Sequence, residues 1–167
     1  MNTKEKVLIH KGMDNVRRMQ YDEALEIFDR VLGMNPEISE AWNNRGVALF
    51  RLGRPEEAIE SYNRALSIEP QNLDALRNKG FVLRSQGQLE EALECYEAAA
   101  RASGDALDME AIATVLVGLG RPEEALGCLY EAMKITPLER FEEEMEALRS
   151  MILQRDMEQR ANLEGKE

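Results

Sequence analysis

Gly53-Arg54-Pro55-Glu56-Glu57-Ala58 recurs letter for letter as Gly120-Arg121-Pro122-Glu123-Glu124-Ala125, and loosely as Gly87-Gln88-Leu89-Glu90-Glu91-Ala92. The alanines closing these strings, taken with Ala24, stand 34, 34 and 33 residues apart. A fixed period of this size marks an array of small similar units rather than one domain around a single deep core. An array also changes where function is sought, because a stack of small units works mainly through its long surface.

Each unit reads as two helices. Apolar residues recur at helical spacing, as with Trp42, Leu49 and Leu52 and then Ala58, Tyr62, Ala65 and Leu66. Gly53, Gly87 and Gly120 fall between the two helices, where the chain turns and needs φ > 0. Pro55 and Pro122 suit a first helical turn, whose N–H groups lack intrahelical partners. The glutamates that follow face the positive end of the helix dipole. Pro36, Pro70 and Pro137 stop the second helix of their units.

Across the period, residues fall into columns. Gly12, Gly46, Gly80 and Ala113 form a small column, and Ala24, Ala58, Ala92 and Ala125 a second. Leu8, Trp42, Leu76 and Met109 form a large column, as do Phe28, Tyr62, Tyr96 and Leu129. Small residues admit close helix crossings and large ones fill the gaps, so these are core columns, and Trp42 is read as a core residue.

The 167 residues carry a formal net charge of −11, with 44% apolar and 5% aromatic residues. That is a helical, globular composition. An acidic chain repels phosphate backbones and anionic lipid, so no nucleic-acid or membrane partner is expected. No apolar run approaches the roughly 18 residues of a membrane span. Val7-Leu8-Ile9 is too short for a signal-peptide core, so a cytoplasmic protein is expected. Cys95 and Cys128 occupy equivalent places in successive units, expected about 8–10 Å apart. A disulfide needs Cα atoms within about 7 Å, so both are expected as free thiols.

No catalytic, cofactor or metal residue is expected. His10 is the single histidine, and it has no cysteine placed to pair with. Glu142-Glu143-Glu144-x-Glu146 reads as a solvated charge run rather than a metal site. Gly118-Leu119-Gly120 lacks the context of a phosphate loop. The protein is expected not to be an enzyme.

The second unit runs Trp42-x-x-Arg45-Gly46-x-x-Leu49, then Gly53, Pro55, Ala58, Tyr62, Ala65 and Pro70. This resembles the tetratricopeptide repeat, a 34-residue helix–turn–helix. The resemblance covers residues 5–137 and implies an all-α, right-handed α-solenoid of antiparallel helix pairs. The units are expected at about 5–38, 39–72, 73–105 and 106–137. Three places depart from the pattern. Met19 stands where later units have glycine, Asn15 where they have Leu49, Leu83 and Leu116, and Gly104 ends the third unit in place of proline. Leu138, Phe141, Met145, Leu148 and Ile152 describe one amphipathic helix over 138–160, either a cap on the open end of the stack or a dimerisation helix. Residues 161–167 are expected to fray.

The resemblance further implies that first helices line a concave groove. Side chains there outside the core columns are Ile9, His10, Met13, Val16 and Arg17 in the first unit and Asn43, Asn44, Val47, Phe50 and Arg51 in the second. The third contributes Arg77, Asn78, Phe81, Arg84 and Ser85, and the fourth Glu110, Ala111, Thr114 and Val117. The partner-binding set is expected to be Ile9, Met13, Arg17, Asn44, Val47, Phe50, Arg51, Arg77, Asn78, Phe81 and Arg84. Four arginines and exposed aromatics in an acidic protein suit a protein or peptide ligand with acidic and apolar side chains. Asn44 and Asn78 stand one repeat apart. Their amides either hold an extended peptide backbone, as the resemblance implies, or make helix-to-helix hydrogen bonds. A tetratricopeptide subset clamps the C-terminal carboxylate of chaperone tails. Here its positions read Ile9, Met13, Asn44, Asp74 and Asn78, of which only Asn44 agrees, so that ligand is not expected. A peptide-binding scaffold is the leading function, and a self-assembling protein that pairs through its last helix or unit faces is the alternative.

Overall fold

A computed structural model describes residues 2–164. Among these there are nine α-helices and no strand: α1 (Thr3–Arg17), α2 (Tyr21–Met34), α3 (Ser39–Arg51), α4 (Pro55–Ile68), α5 (Leu73–Ser85), α6 (Leu89–Ser103), α7 (Ala106–Gly118), α8 (Pro122–Ile135) and α9 (Glu139–Glu164). None of the described helices is long and apolar enough to cross a membrane. The chain divides into two compact units, one ending at Cys95 and the other beginning at Tyr96, with the boundary inside α6.

The turns follow from the repeated strings. After α3 the Gly53 amide donates to the Phe50 carbonyl and the Arg54 amide to the Leu49 carbonyl, each at 3.0 Å. This pair of bonds closes a helix by placing one residue in the left-handed region, and Gly53 has φ 75°. Gly87 and Gly120 repeat the arrangement at φ 77° and 72°. The string then starts the next helix. Pro55 and Pro122 sit in the first turns of α4 and α8. The Arg54 guanidinium donates two bonds to the Glu57 carboxylate, and Arg121 two to Glu124, all at 2.6 Å. Those bonds hold the Glu57 and Glu124 carboxyls below the usual carboxylate range. Identical strings thus build identical local structures in the two units.

Met19 occupies the same left-handed position after α1, at φ 60°, with the same two closing bonds. Its side chain is 76% exposed, so nothing in the packing offsets the strain. A left-handed non-glycine residue costs about 1–2 kcal/mol. Glycine there forfeits about 0.4–1 kcal/mol in unfolded-chain entropy. Met19→Gly is therefore expected to stabilise the protein by about 0.5–1 kcal/mol, read as a higher urea midpoint at unchanged slope. A midpoint that stays or falls would contradict the strain.

In the first unit α1 packs on α2, α2 on α3, α3 on α4 and α4 on α5, while α1 and α5 also flank α3. The three-residue turns make α1/α2 and α3/α4 antiparallel pairs. A Cβ on Gly12 would come within 2.6 Å of the Phe28 ring, and one on Gly46 within 2.5 Å of the Tyr62 ring. The small and large columns are thus two sides of one contact. Ala24, Ala58 and Ala65 are wholly buried beside them. Trp42 packs against Ile9, Val31, Leu32, Ile38 and Ala41, and its indole N–H donates to the Pro36 carbonyl at 2.7 Å. Arg45 stitches three helices by donating to Asp29 of α2 at 2.6 Å and Ser61 of α4 at 2.8 Å.

In the second unit α7 packs on α8 and α8 on α9. Phe141, Met145 and Leu148 are buried. Their spacing of four and three repeats that of Met109, Ala113 and Leu116 on α7. The start of α9 thus packs as another first helix, consistent with a cap over α8. Arg155 adds a bond to Glu123, and Arg149 one to the Tyr130 hydroxyl. Beyond Leu148 the helix continues to Glu164 rather than ending near Arg160, with Met151, Leu153 and Met157 exposed. Of the residues expected to fray, Ala161–Glu164 are helical and 165–167 lie outside the described residues.

Candidate partner-binding surface

In the first unit α1, α3 and α5 are neighbours, so their outward side chains share one face. The residues proposed for it divide into three kinds. Ile9 does not belong there. It is 1% exposed and packs with Val31, Leu32, Ile38 and Ala41. The inward face of α1 runs Glu5, Ile9, Gly12, so Ile9 is a core residue, while Leu8 is half-buried against the same cluster. Met13 and Val47 are half-buried and support the core from its edge.

The asparagines hold helices. The Asn78 amide donates to the Asn43 Oδ1 at 3.0 Å, tying α5 to α3. Asn44, the residue in register with Asn78, donates to the Glu40 carbonyl of its own helix at 2.9 Å. Asn43 is buried. The pairing is thus Asn43 with Asn78, 35 residues apart, a step that a 34-residue period does not display.

The third kind forms a surface. Phe50 and Phe81 meet edge to face, with ring centroids 5.7 Å apart at 90°. The Arg84 guanidinium stands 5.6 Å from the Phe81 ring centre. An arginine so placed interacts with the ring and keeps its charge. Phe81 is 45% exposed and Arg51 is exposed on α3. Arg77 on α5 is half-buried, and Arg17 on α1 is exposed and pairs with Asp14 at 2.8 Å. The face therefore offers an apolar ring pair bordered by guanidinium groups.

The second unit holds a feature that the sequence only half indicates. Thr114 and Val117, expected to face outward from α7, line a slot whose far wall is α9. The α9 residues Ala147 and Met151 were not among those expected. Their signal was present, because α9 carries the apolar spacing of a first helix. Both cysteines are free thiols, and burial pushes each thiol up, which keeps the nucleophilic thiolate scarce. Among the described residues no three His, Cys, Asp or Glu side chains are grouped to hold a metal ion.

Two family models, each described as tetratricopeptide repeat, match residues 11–73 and 49–116. No curated protein matches the chain. Among solved structures, a MamA RS-1 double mutant is similar at 22% identity and TM-score 0.79, over 90% of this chain and 86% of that one. PilF of Pseudomonas aeruginosa is similar at 20% identity and TM-score 0.79, over 90% and 69%. YrrB, described as a TPR protein with an unusual peptide-binding site, is similar at 24% identity and TM-score 0.69, over 83% and 71%. At these identities the likeness establishes the fold, an all-α helical solenoid.

Proposed function

Since the chain belongs to the tetratricopeptide-repeat family, whose fold is that of a protein–protein interaction scaffold, we propose that its first unit binds a segment of a partner protein across α1, α3 and α5. The observation that carries this reading is the Phe50–Phe81–Arg84 cluster. Phenylalanine and arginine are both enriched at protein interfaces relative to the rest of the surface. The partner segment carries apolar side chains for the rings and carboxylates for Arg51 and Arg84. One N–H of the Asn78 amide is engaged with Asn43, so a peptide backbone would meet only its second N–H and its Oδ1. The protein acts by binding and needs no cofactor.

Selection of random peptides displayed on phage against the immobilised full chain tests this. Enriched peptides are expected to combine Asp or Glu with Leu or Phe. The double substitution Arg51→Glu and Arg84→Glu is expected to weaken such peptides about tenfold, since exposed charge pairs contribute about 0–1 kcal/mol each. It should also flatten their salt dependence while helix content stays constant. Enriched peptides without acidic residues, or full binding by the double variant, would exclude this face.

A second reading, self-association, rests on the exposed Met151, Leu153 and Met157 of α9. Sedimentation across a hundredfold range of concentration separates it from the first. A constant monomer mass removes it.

A further inference from the structure

Between α7, α8 and α9 lies an open slot of about 260 Å³. Sites for drug-sized ligands begin near 300 Å³, so this space suits one or two side chains rather than a cofactor. Its walls are Ala113 and Val117 of α7, Leu129 of α8, and Ala147, Leu148 and Met151 of α9. Thr114 also lines it, but its hydroxyl is already donated to the Glu110 carbonyl at 3.0 Å. Glu144 is the one charged residue on the wall.

Arg140 is the cation that acts on Glu144. The Glu144 carboxyl neighbours that of Glu110, which takes a 2.6 Å bond from Arg140. Two carboxylates therefore share one guanidinium, and α7 supplies no lysine or arginine of its own. Burial, the Glu110 charge and a hydrogen bond with the Glu110 carboxyl outweigh the Arg140 charge and push the Glu144 carboxyl above its ordinary range. A second cation at this end of the slot would relieve that repulsion.

We propose that this slot seats one bulky aliphatic side chain of a partner segment, with the lysine or arginine next to it in the segment supplying a second cation for the Glu110–Glu144 pair. Shape selects the aliphatic group and charge selects its neighbour. The ligand chemistry is opposite in sign to that proposed for the Phe50–Phe81–Arg84 face. The inference does not rest on that face, and the two are read out by different amides.

The test is an amide NMR titration of the full isotope-labelled chain with three capped hexapeptides: Gly-Ser-Leu-Arg-Ser-Gly, the same with glutamate for arginine, and the same with alanine for leucine. The Leu-Arg peptide is expected to shift the amides of Thr114, Val117, Ala147 and Met151. The Leu-Glu peptide should bind about fivefold more weakly, the factor for one modest charge contribution, and the Ala-Arg peptide at least about tenfold more weakly, because leucine to alanine removes three aliphatic carbons from the slot. E144Q should weaken the Leu-Arg peptide and narrow its preference over the Leu-Glu peptide. Ala147→Phe fills the slot from an exposed helix position and should abolish the shifts while the remaining amides stay in place. The proposal is overturned if the Leu-Arg peptide leaves these four amides unmoved or the Leu-Glu peptide moves them equally. It is also overturned if they move with protein concentration alone, which would put a second copy in the slot.

Discussion

Phe141→Ala is expected to destabilise the second unit by about 3–5 kcal/mol, the range for removing a buried phenylalanine side chain. The ring is fully buried, and with Met145 and Leu148 it makes up the inward stripe by which α9 covers the stack. Whole domains are stable by only about 5–15 kcal/mol, so this single change removes a large share. In a repeat array the loss is local, because each unit contacts mainly its neighbours. Hydrogen exchange should therefore quicken first in α7, α8 and α9, while α1 to α4 keep their protection. Leu153→Ala serves as the control, since that side chain is 63% exposed and its removal should change stability by less than about 0.5 kcal/mol. A Phe141→Ala protein with the parent's urea midpoint would mean that α9 is a free tail rather than a cap.

Gly→Ala substitutions are expected to have opposite signs at two helical positions of this chain. At Gly46 a methyl group would meet the Tyr62 ring at 2.5 Å, and that ring is 1% exposed with nowhere to move. Overpacking of this kind costs about 1–3 kcal/mol. It is offset by at most about 1 kcal/mol of helix propensity. Gly46→Ala should therefore destabilise by about 1–2 kcal/mol. At Gly127 in α8 a methyl group meets nothing within 4 Å, so Gly127→Ala should stabilise by about 0.5–1 kcal/mol. Urea midpoints of both variants decide the matter. A Gly46→Ala protein at least as stable as the parent would show that the α3–α4 crossing is looser than its geometry implies. Combining Gly46→Ala with Tyr62→Leu should recover part of the loss if the ring is the obstacle, since the two changes share one contact.

The features read correctly from the chain share a physical basis: each is local or periodic. Met19 shows how far this extends. It broke the glycine column, yet it adopts the glycine's backbone conformation, because the closing hydrogen bonds of the turn dictate φ more strongly than the residue's preference does. Positions such as Ile9 and Asn43 depend on which side of a helix meets another helix. Leu8 and Ile9 are about 100° apart around α1, and both are apolar. Only contact with Val31, Leu32, Ile38 and Ala41 makes Ile9 the inward one. Asn43 and Asn44 pose the same choice on α3, and the approach of α5 resolves it by giving Asn78 to Asn43.

The partner-binding residues divide in the same way. The Phe50–Phe81 contact is half visible in the sequence, since helical spacing turns both positions outward, but edge-to-face packing and the stacking of Arg84 need the distance between α3 and α5. The slot in the second unit was hidden further, because its two long walls come from α7 and from a helix that falls outside the repeat period. Period, turns, helix stops and small-on-large columns are written along the chain, since each depends on neighbouring residues or on repetition. Helix rotation, the pairing of side chains across helices, and the space left between α7 and α9 arise only when helices pack, because burial belongs to a pair of surfaces and not to a residue.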